Sequence, residues 1–239
     1  ALEYDIDDDT MLYGSFTRGY KPGGSNLTYG REDVVAQIVV LPTFQEEIVD
    51  AFEVGLKTDL ADGRVRLNTA AFLYNYEGLQ YQATDPEVFE GGVGNIPDSE
   101  IYGAELELST FLSDSVILDL RMSWLDTEIT ANHLALDNVE SEAATNALLA
   151  QGIGLFSNDV QVARAGRIQN VKGNELAKTP SFTGNVALNW SNDHNWGELK
   201  GTLQYTYRGG FKHRIFNNSQ TDLVPNYDVL DIMLGFYPA

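Results

Sequence analysis

Apolar residues recur at every second position through most of the chain. In Val116-Ile117-Leu118-Asp119-Leu120-Arg121-Met122-Ser123-Trp124 the even positions are all apolar, and the odd positions after Ile117 are polar. That period belongs to a strand with one buried face. Tyr102, Ala104, Leu106 and Leu108 alternate with Gly103, Glu105, Glu107 and Ser109. Phe182 to Trp190, Leu199 to Tyr207 and Leu230 to Phe236 repeat the pattern. Eight strands are expected, at 10–21, 46–60, 64–82, 99–112, 116–128, 178–192, 197–209 and 226–237, with residues 1–6 as the tail of a ninth. Between 65 and 76 both faces carry apolar bulk, so the inward face is undecided there. Residues 141–150 are the one stretch that suggests a helix, with Ser141 as its N-cap.

Connection lengths add a topology. Asp7-Asp8-Asp9, Asp62-Gly63, Ser113-Asp114-Ser115 and 192–196 are short, whereas 22–45, 83–98, 129–177 and 210–225 are long. In an up-and-down meander alternate connections share an end, so one rim has tight turns and the other long loops. With apolar outer stripes, this describes a transmembrane antiparallel up-and-down β-barrel segment of the outer-membrane type, all-β in class. A soluble barrel of the lipocalin type would expose those stripes to water.

Composition narrows the function. The chain has 239 residues and 35 acidic against 15 basic side chains, a net charge of −20 that repels nucleic-acid phosphate. It lacks cysteine, which removes disulfides and thiolate chemistry, and no apolar run is long enough for a membrane helix. The 12 Tyr, 11 Phe, 3 Trp and 22 Gly suit strands and turns. No catalytic arrangement stands out: His133, His194 and His213 are scattered, and Gly23-Gly24 lacks the lysine and helix of a phosphate loop. Neither an enzymatic role nor a cofactor nor a bound metal is expected.

Several segments in order carry a family resemblance. The run Asp9-Thr10-Met11-Leu12-Tyr13-Gly14-Ser15-Phe16-Thr17-Arg18-Gly19-Tyr20-Lys21-Pro22-Gly23-Gly24 resembles a strand and loop of TonB-dependent outer-membrane receptors. Phe52-Glu53-Val54-Gly55-Leu56-Lys57 is similar to their E-x-G-x-K strand, and Asp62-Gly63-Arg64 with Asn68 to Tyr74 to the following turn and strand. Asn95-Ile96-Pro97 leading to Tyr102-Gly103-Ala104-Glu105-Leu106-Glu107-Leu108 resembles the N…G-x-E-x-E strand, and Thr179-Pro180 the entry to a later one.

The resemblance implies residues 1–239 are a partial barrel domain, about eight of roughly 22 strands, without plug and final strands. It implies a place in the outer membrane of a Gram-negative bacterium. The implied partners are lipid and lipopolysaccharide, the remaining strands and plug of the same receptor, the TonB energy-coupling protein, and a small nutrient such as a ferric siderophore. No nucleic acid is among them. The competing reading is a small autonomous eight-stranded barrel acting as adhesin or binding protein. An outer-membrane hydrolase needs a Ser/His pair on one face, which the sequence does not offer.

Basic and aromatic loop residues suit an anionic, partly aromatic ligand. The candidates are Tyr20, Lys21, Tyr29, Arg31, Arg164, Arg167, Phe211 and Arg214, with Arg18, Lys172, Lys212 and His213 beside them. Glu53, Lys57, Glu105, Glu107, Asp119, Arg121 and Arg208 are expected on the lumen and plug side. Three registers follow: Asp59 opposite Arg66 across an Asp62-Gly63 type I′ turn, Glu107 opposite Arg121, and Leu112 opposite Val116 across a three-residue loop. The first and last strands should not pair.

Overall fold

A computed structural model describes residues 1–27, 41–84 and 91–239. Nine strands form one antiparallel sheet in chain order. They are β1 (Leu2–Asp7), β2 (Thr10–Lys21), β3 (Glu47–Leu60), β4 (Val65–Thr84), β5 (Gly91–Ser113), β6 (Val116–Ile129), β7 (Phe182–His194), β8 (Gly197–Arg208) and β9 (Tyr227–Pro238). Among the described residues β1 pairs only with β2 and β9 only with β8, so the sheet is open, as a partial barrel requires.

The register sorts side chains onto two faces. One row runs through Thr58, Leu67, Leu108, Leu120, Val186, Tyr205 and Leu230. The neighbouring row, on the opposite face, runs through Lys57, Asn68, Glu107, Arg121, Asn185, Thr206 and Val229. Large apolar side chains stay exposed on the first face, among them Phe16, Phe52, Trp124, Ile232 and Leu234. Phe16 packs at a tilt against Phe52, and Tyr102 edge-on against Trp124, with centroids 5.0 and 5.9 Å apart. At the other rim Trp196 lies against His194 and Phe236.

The tight turns follow the expected register, with one difference. Asp59 opposes Arg66, and the Arg66 Nε lies 2.8 Å from Asp59 Oδ1. Asp62 and Gly63 both have positive φ, as a type I′ turn needs, and the Arg64 amide donates to the Ala61 carbonyl at 3.2 Å. Ala61 is also at positive φ, so the ladder ends at Leu60 and Val65. Glu107 opposes Arg121 and Leu106 opposes Met122, as expected. The loop beyond is shorter than expected: Ser113 opposes Val116, and Leu112 is squeezed out as a bulge.

The glycines of the two motif strands have a packing reason. Tyr13 from β2 lays its ring where a Gly55 side chain would stand, and Phe72 from β4 does the same over Gly103. Phe72 and Tyr74 thus belong to the polar face as aromatic covers, which resolves the ambiguity at 65–76.

Two expectations need correction. Residues 91–98 are not loop: β5 begins at Gly91 and β4 continues to Thr84, so this hairpin stands taller than its sequence suggests. The ladder skips one pair between Glu77–Asp98 and Leu79–Ile96. There Gly78 has φ of +69°, and Asn95 Nδ2 caps its carbonyl at 2.7 Å. A strand can therefore carry Pro97 without leaving buried polar groups unmet. The helix is also longer and not alone. α1 (Asn138–Leu149) is capped by Asp137, whose carboxylate accepts from Val139 and Glu140, so Ser141 lies inside the helix. A second helix, α2 (Asn158–Ala165), starts at a Ser157 cap; its β-branched and charged residues hid it from propensity reasoning.

Candidate functional site: the polar face and the folded loops

The buried core of the described residues sits among the loops, not within the sheet. Ile96, Ile129, Ala135, Val171, Leu176 and Ile215 cluster there, with Leu79, Tyr81 and Ile101 packed against them. They come from the tall ends of β4 to β6 and from the two long connections 130–181 and 209–226. Residues Leu134–Leu136 pair with Ile168–Asn170, and Phe211–Lys212 with Leu223–Val224. The connections are stitched together by Asn174 Nδ2 to the Ile215 carbonyl at 2.8 Å and Asn217 Nδ2 to the Glu175 carbonyl at 3.0 Å.

Arg214 is the central electrostatic tie. Its guanidinium meets Asp137 Oδ1 at 2.6 Å and Asp222 Oδ1 at 2.5 Å. The side chains of Arg214, Asp137 and Asp222 are 15%, 3% and 0% exposed, so the charges must be met internally. Arg214, expected as a ligand contact, thus has its charge taken up by the fold. Asp137 serves both this pair and the α1 cap, a double use that spacing alone does not reveal. Among the described residues, one Asp137 oxygen and the Ser141 hydroxyl are buried without a partner.

The other expected loop residues are dispersed. Tyr20 extends from the apolar face of β2, two rows beyond the Arg18–Asp50 pair, and is 76% exposed. Lys21 ends β2 opposite Glu47. Arg164 donates from α2 to Thr145 Oγ1 at 3.2 Å, and the Arg167 carbonyl accepts from the Asp137 amide. Phe211 lies 4.5 Å under the Arg208 guanidinium. Tyr29 and Arg31 lie outside the described residues.

The residues expected toward the lumen all fall on the polar face. Tyr13 donates to Glu53 Oε1 at 2.6 Å, and Lys57 lies 5.3 Å from the Tyr13 ring centroid. Glu105 lies on the same face, opposite Ser123. Arg121 Nε lies 3.8 Å from Glu107, which also meets Asn68 at 3.5 Å. Asp119 accepts from Asn189 at 2.7 Å, and Arg208 closes the column of Thr202, Gln204 and Thr206. This wall is held by polar contacts that remain open to water.

A cavity of about 590 Å³ lies at the tall end of the β4–β5 hairpin, lined by Phe44, Glu46, Glu77, Tyr81, Asn95 and His133 among others. His133 Nε2 meets the Tyr81 hydroxyl at 2.8 Å. Burial holds the His133 imidazole below its ordinary pKa, so it is neutral at physiological pH. Among the described residues no three His, Asp or Glu side chains gather as metal ligands.

An open antiparallel wall with one apolar aromatic face, one polar face and folded loops on one rim defines a section of a large membrane barrel. A family model described as "TonB dependent receptor-like, beta-barrel" matches residues 1–238, and the chain belongs to that family. Its members are outer-membrane proteins of Gram-negative bacteria.

Over 134 residues the chain is 25% identical to the probable TonB-dependent siderophore receptor PiuA of Acinetobacter baumannii, spanning 55% of this chain and 17% of that protein. In structure it resembles the ferric yersiniabactin uptake receptor FyuA from Yersinia pestis, with TM-score 0.65 and 20% identity over 98% of this chain and 28% of that one. The siderophore receptor PiuA from Acinetobacter baumannii gives TM-score 0.64 and 18% identity over 98% of this chain and 28% of that one. At these identities what is shared is the fold.

Proposed function

We propose that residues 1–239 are a stretch of barrel wall and extracellular loops in a receptor that imports a scarce nutrient, in the first place a ferric siderophore, across the outer membrane. The observation that carries this reading is the separation of faces and rims. Apolar side chains run from Val116 to Trp124 on one face of β6, while Asp119 and Arg121 hold the other. Nine residues at ~3.4 Å per residue, tilted as barrel strands are, match the apolar band of about 25 Å.

On this reading the wall makes and breaks no bonds. Its ladder, continued by the remaining strands of the receptor, satisfies backbone groups that lipid cannot. Its polar face borders a plug domain, its loops meet lipopolysaccharide and the incoming chelate, and the TonB protein supplies energy through the plug. The eight-stranded adhesin alternative requires the terminal strands to pair, and β1 and β9 do not.

The test is a deletion of the gene encoding this segment, followed by growth on a panel of defined ferric chelates with and without TonB. Loss of growth on at least one chelate, restored by the gene only when TonB is present, is expected. Unchanged growth and unchanged chelate uptake on the whole panel would overturn the receptor reading.

A further inference from the structure

A strand with one apolar and one polar face resists a slip of one residue, which would turn every side chain over, but a slip of two residues keeps both faces. Tight turns exclude such a slip in β3–β4 and β5–β6, because Asp62-Gly63 and the turn at 114–115 dictate which residues face each other. β2–β3 and β4–β5 are joined by the longer connections 22–46 and 85–90. In these two pairs aromatic rings stand directly opposite glycines: Tyr13 opposite Gly55, Phe72 opposite Gly103 and Tyr81 opposite Gly94. A side-chain carbon at Gly103 or Gly94 would stand only 2.7 or 3.0 Å from the ring, and one at Gly55 would collide with Tyr13 outright. Phe44 covers Gly24 in the same way, where residues 43–44 pair with 24–25. Among the described residues β3–β4 and β5–β6 have no such pair. In β7–β8, which a tight turn closes, Trp190 opposes Gly201 at an ordinary 3.4 Å. The connections of β6–β7 and β8–β9, residues 130–181 and 209–226, are held instead by the buried loop core and Arg214.

We infer that the rings of Tyr13, Phe72 and Tyr81 lock the register of β2–β3 and β4–β5 against two-residue slips, and thereby fix the stagger of the barrel. A slip by two would set Tyr13 over Glu53 or Lys57, and Phe72 over Ile101 or Glu105, where side chains already fill the space the ring needs. Only the native register offers each ring a bare stretch of backbone. Stagger, tilt and diameter are linked in a barrel, so a lock on two strand pairs helps hold the whole wall to one width. The inference concerns how the wall is built and stands whatever the cargo.

The test uses the intact receptor carrying this segment, with cysteine pairs as rulers in outer-membrane fractions, since the segment has no cysteine of its own. A pair at 17 and 51, opposite each other in the native ladder, should oxidise readily. Pairs at 17 and 49 or at 21 and 49 close only after a two-residue slip, because diagonal neighbours ~7–8 Å apart lie beyond disulfide reach. Tyr13→Ala should raise the slipped disulfides about fivefold, the worth of about one cross-strand pair. Tyr13→Phe keeps the ring, loses the bond to Glu53, and should hold the native register. Phe16→Ala removes a ring that faces Phe52 rather than a glycine, and should leave slipped disulfides at the wild-type level. Gly55→Lys with Lys57→Gly moves the bare position by two residues and should make 21–49 the main disulfide. This exchange keeps every side chain, so it decides the matter if Tyr13→Ala does not assemble. Native disulfides alone in the exchanged variant would overturn the inference. Equal slippage in Tyr13→Phe and Tyr13→Ala would also overturn it, by giving the role to the Glu53 bond, and equal slippage in Phe16→Ala by giving it to ring area in general.

Discussion

Replacing Arg214 with methionine should release the loop assembly while leaving the wall intact. Methionine keeps much of the volume and removes the charge, so Asp137 and Asp222 lose their shared cation in a site where their side chains are 3% and 0% exposed. Removing one partner of a buried pair costs roughly 3–5 kcal/mol, because the remaining charges are stranded. At 1.36 kcal/mol per tenfold, local opening should rise by roughly 150- to 5,000-fold. Hydrogen–deuterium exchange of the receptor in nanodiscs reads this directly, through peptides covering 130–181 and 209–226. Peptides from β6 and β7 should keep wild-type protection, because their hydrogen bonds are made within the ladder. Arg66→Met is the control, since the Arg66 side chain is 67% exposed and lies at the opposite rim, and its loop peptides should exchange as in the wild type. Adding Asp137→Asn and Asp222→Asn to Arg214→Met should recover part of the protection, as neutral amides remove the stranded charge. Loop exchange within about threefold of wild type in Arg214→Met would refute the idea that this buried triad holds the loops, since even the low end of the range exceeds it.

Gly55→Ala should displace the Tyr13 ring and break its bond to Glu53, lowering the barrel's thermal midpoint by the equivalent of ~1–3 kcal/mol; Tyr13→Ala in the same chain should recover most of it. If the apolar face meets lipid, Leu120→Arg at its middle should cost ~2–4 kcal/mol in folding titrations, whereas Asn185→Arg on the polar face should be nearly neutral. Because burial lowers the His133 pKa, the opened loop binds a proton more readily than the closed one. Loop protection should therefore be full above the ordinary imidazole pKa near ~6.5 and fall as pH drops below it, levelling out once the folded group is also protonated. His133→Gln should flatten that dependence in exchange measurements at pH values on either side.

The wall was legible because one apolar and one polar face impose a strict period of two. Asp59 opposite Arg66 and Glu107 opposite Arg121 followed from counting back from turns whose residues dictate their geometry. The Leu112 bulge did not, since a one-residue slip at a hairpin end leaves no trace in the alternation. The strand at 91–98 lies in a stretch expected as loop: Pro97 and the glycines around it carry no alternating pattern, and side-chain bonds from Asn95 to the Gly78 carbonyl and from the Gln80 amide to Glu47 support it. Helix α2 has eight residues, too few for a periodic signal to rise above its β-branched composition. The loop core, built from single apolar residues such as Ile129, Val171 and Ile215, depends on contacts between segments far apart in sequence. Of the candidate residues, the shared polar face of Glu53, Lys57, Glu105, Glu107, Asp119, Arg121 and Arg208 followed from strand parity. The fate of Arg214 required knowing that Asp137 and Asp222 converge on it.

The chain has no cysteine, so single cysteines introduced along β6 report each face cleanly within this segment. Spin labels at positions 117 to 124, in the receptor reconstituted in lipid, can be scored for collision with oxygen, which concentrates in the bilayer, and with a water-soluble nickel complex. Positions 118, 120 and 122 should favour oxygen and positions 119, 121 and 123 nickel, an alternation with period two along the strand. Uniform nickel access at all positions, or oxygen access following a period of 3.6, would contradict a membrane-spanning wall with lipid on one face and an aqueous lumen on the other.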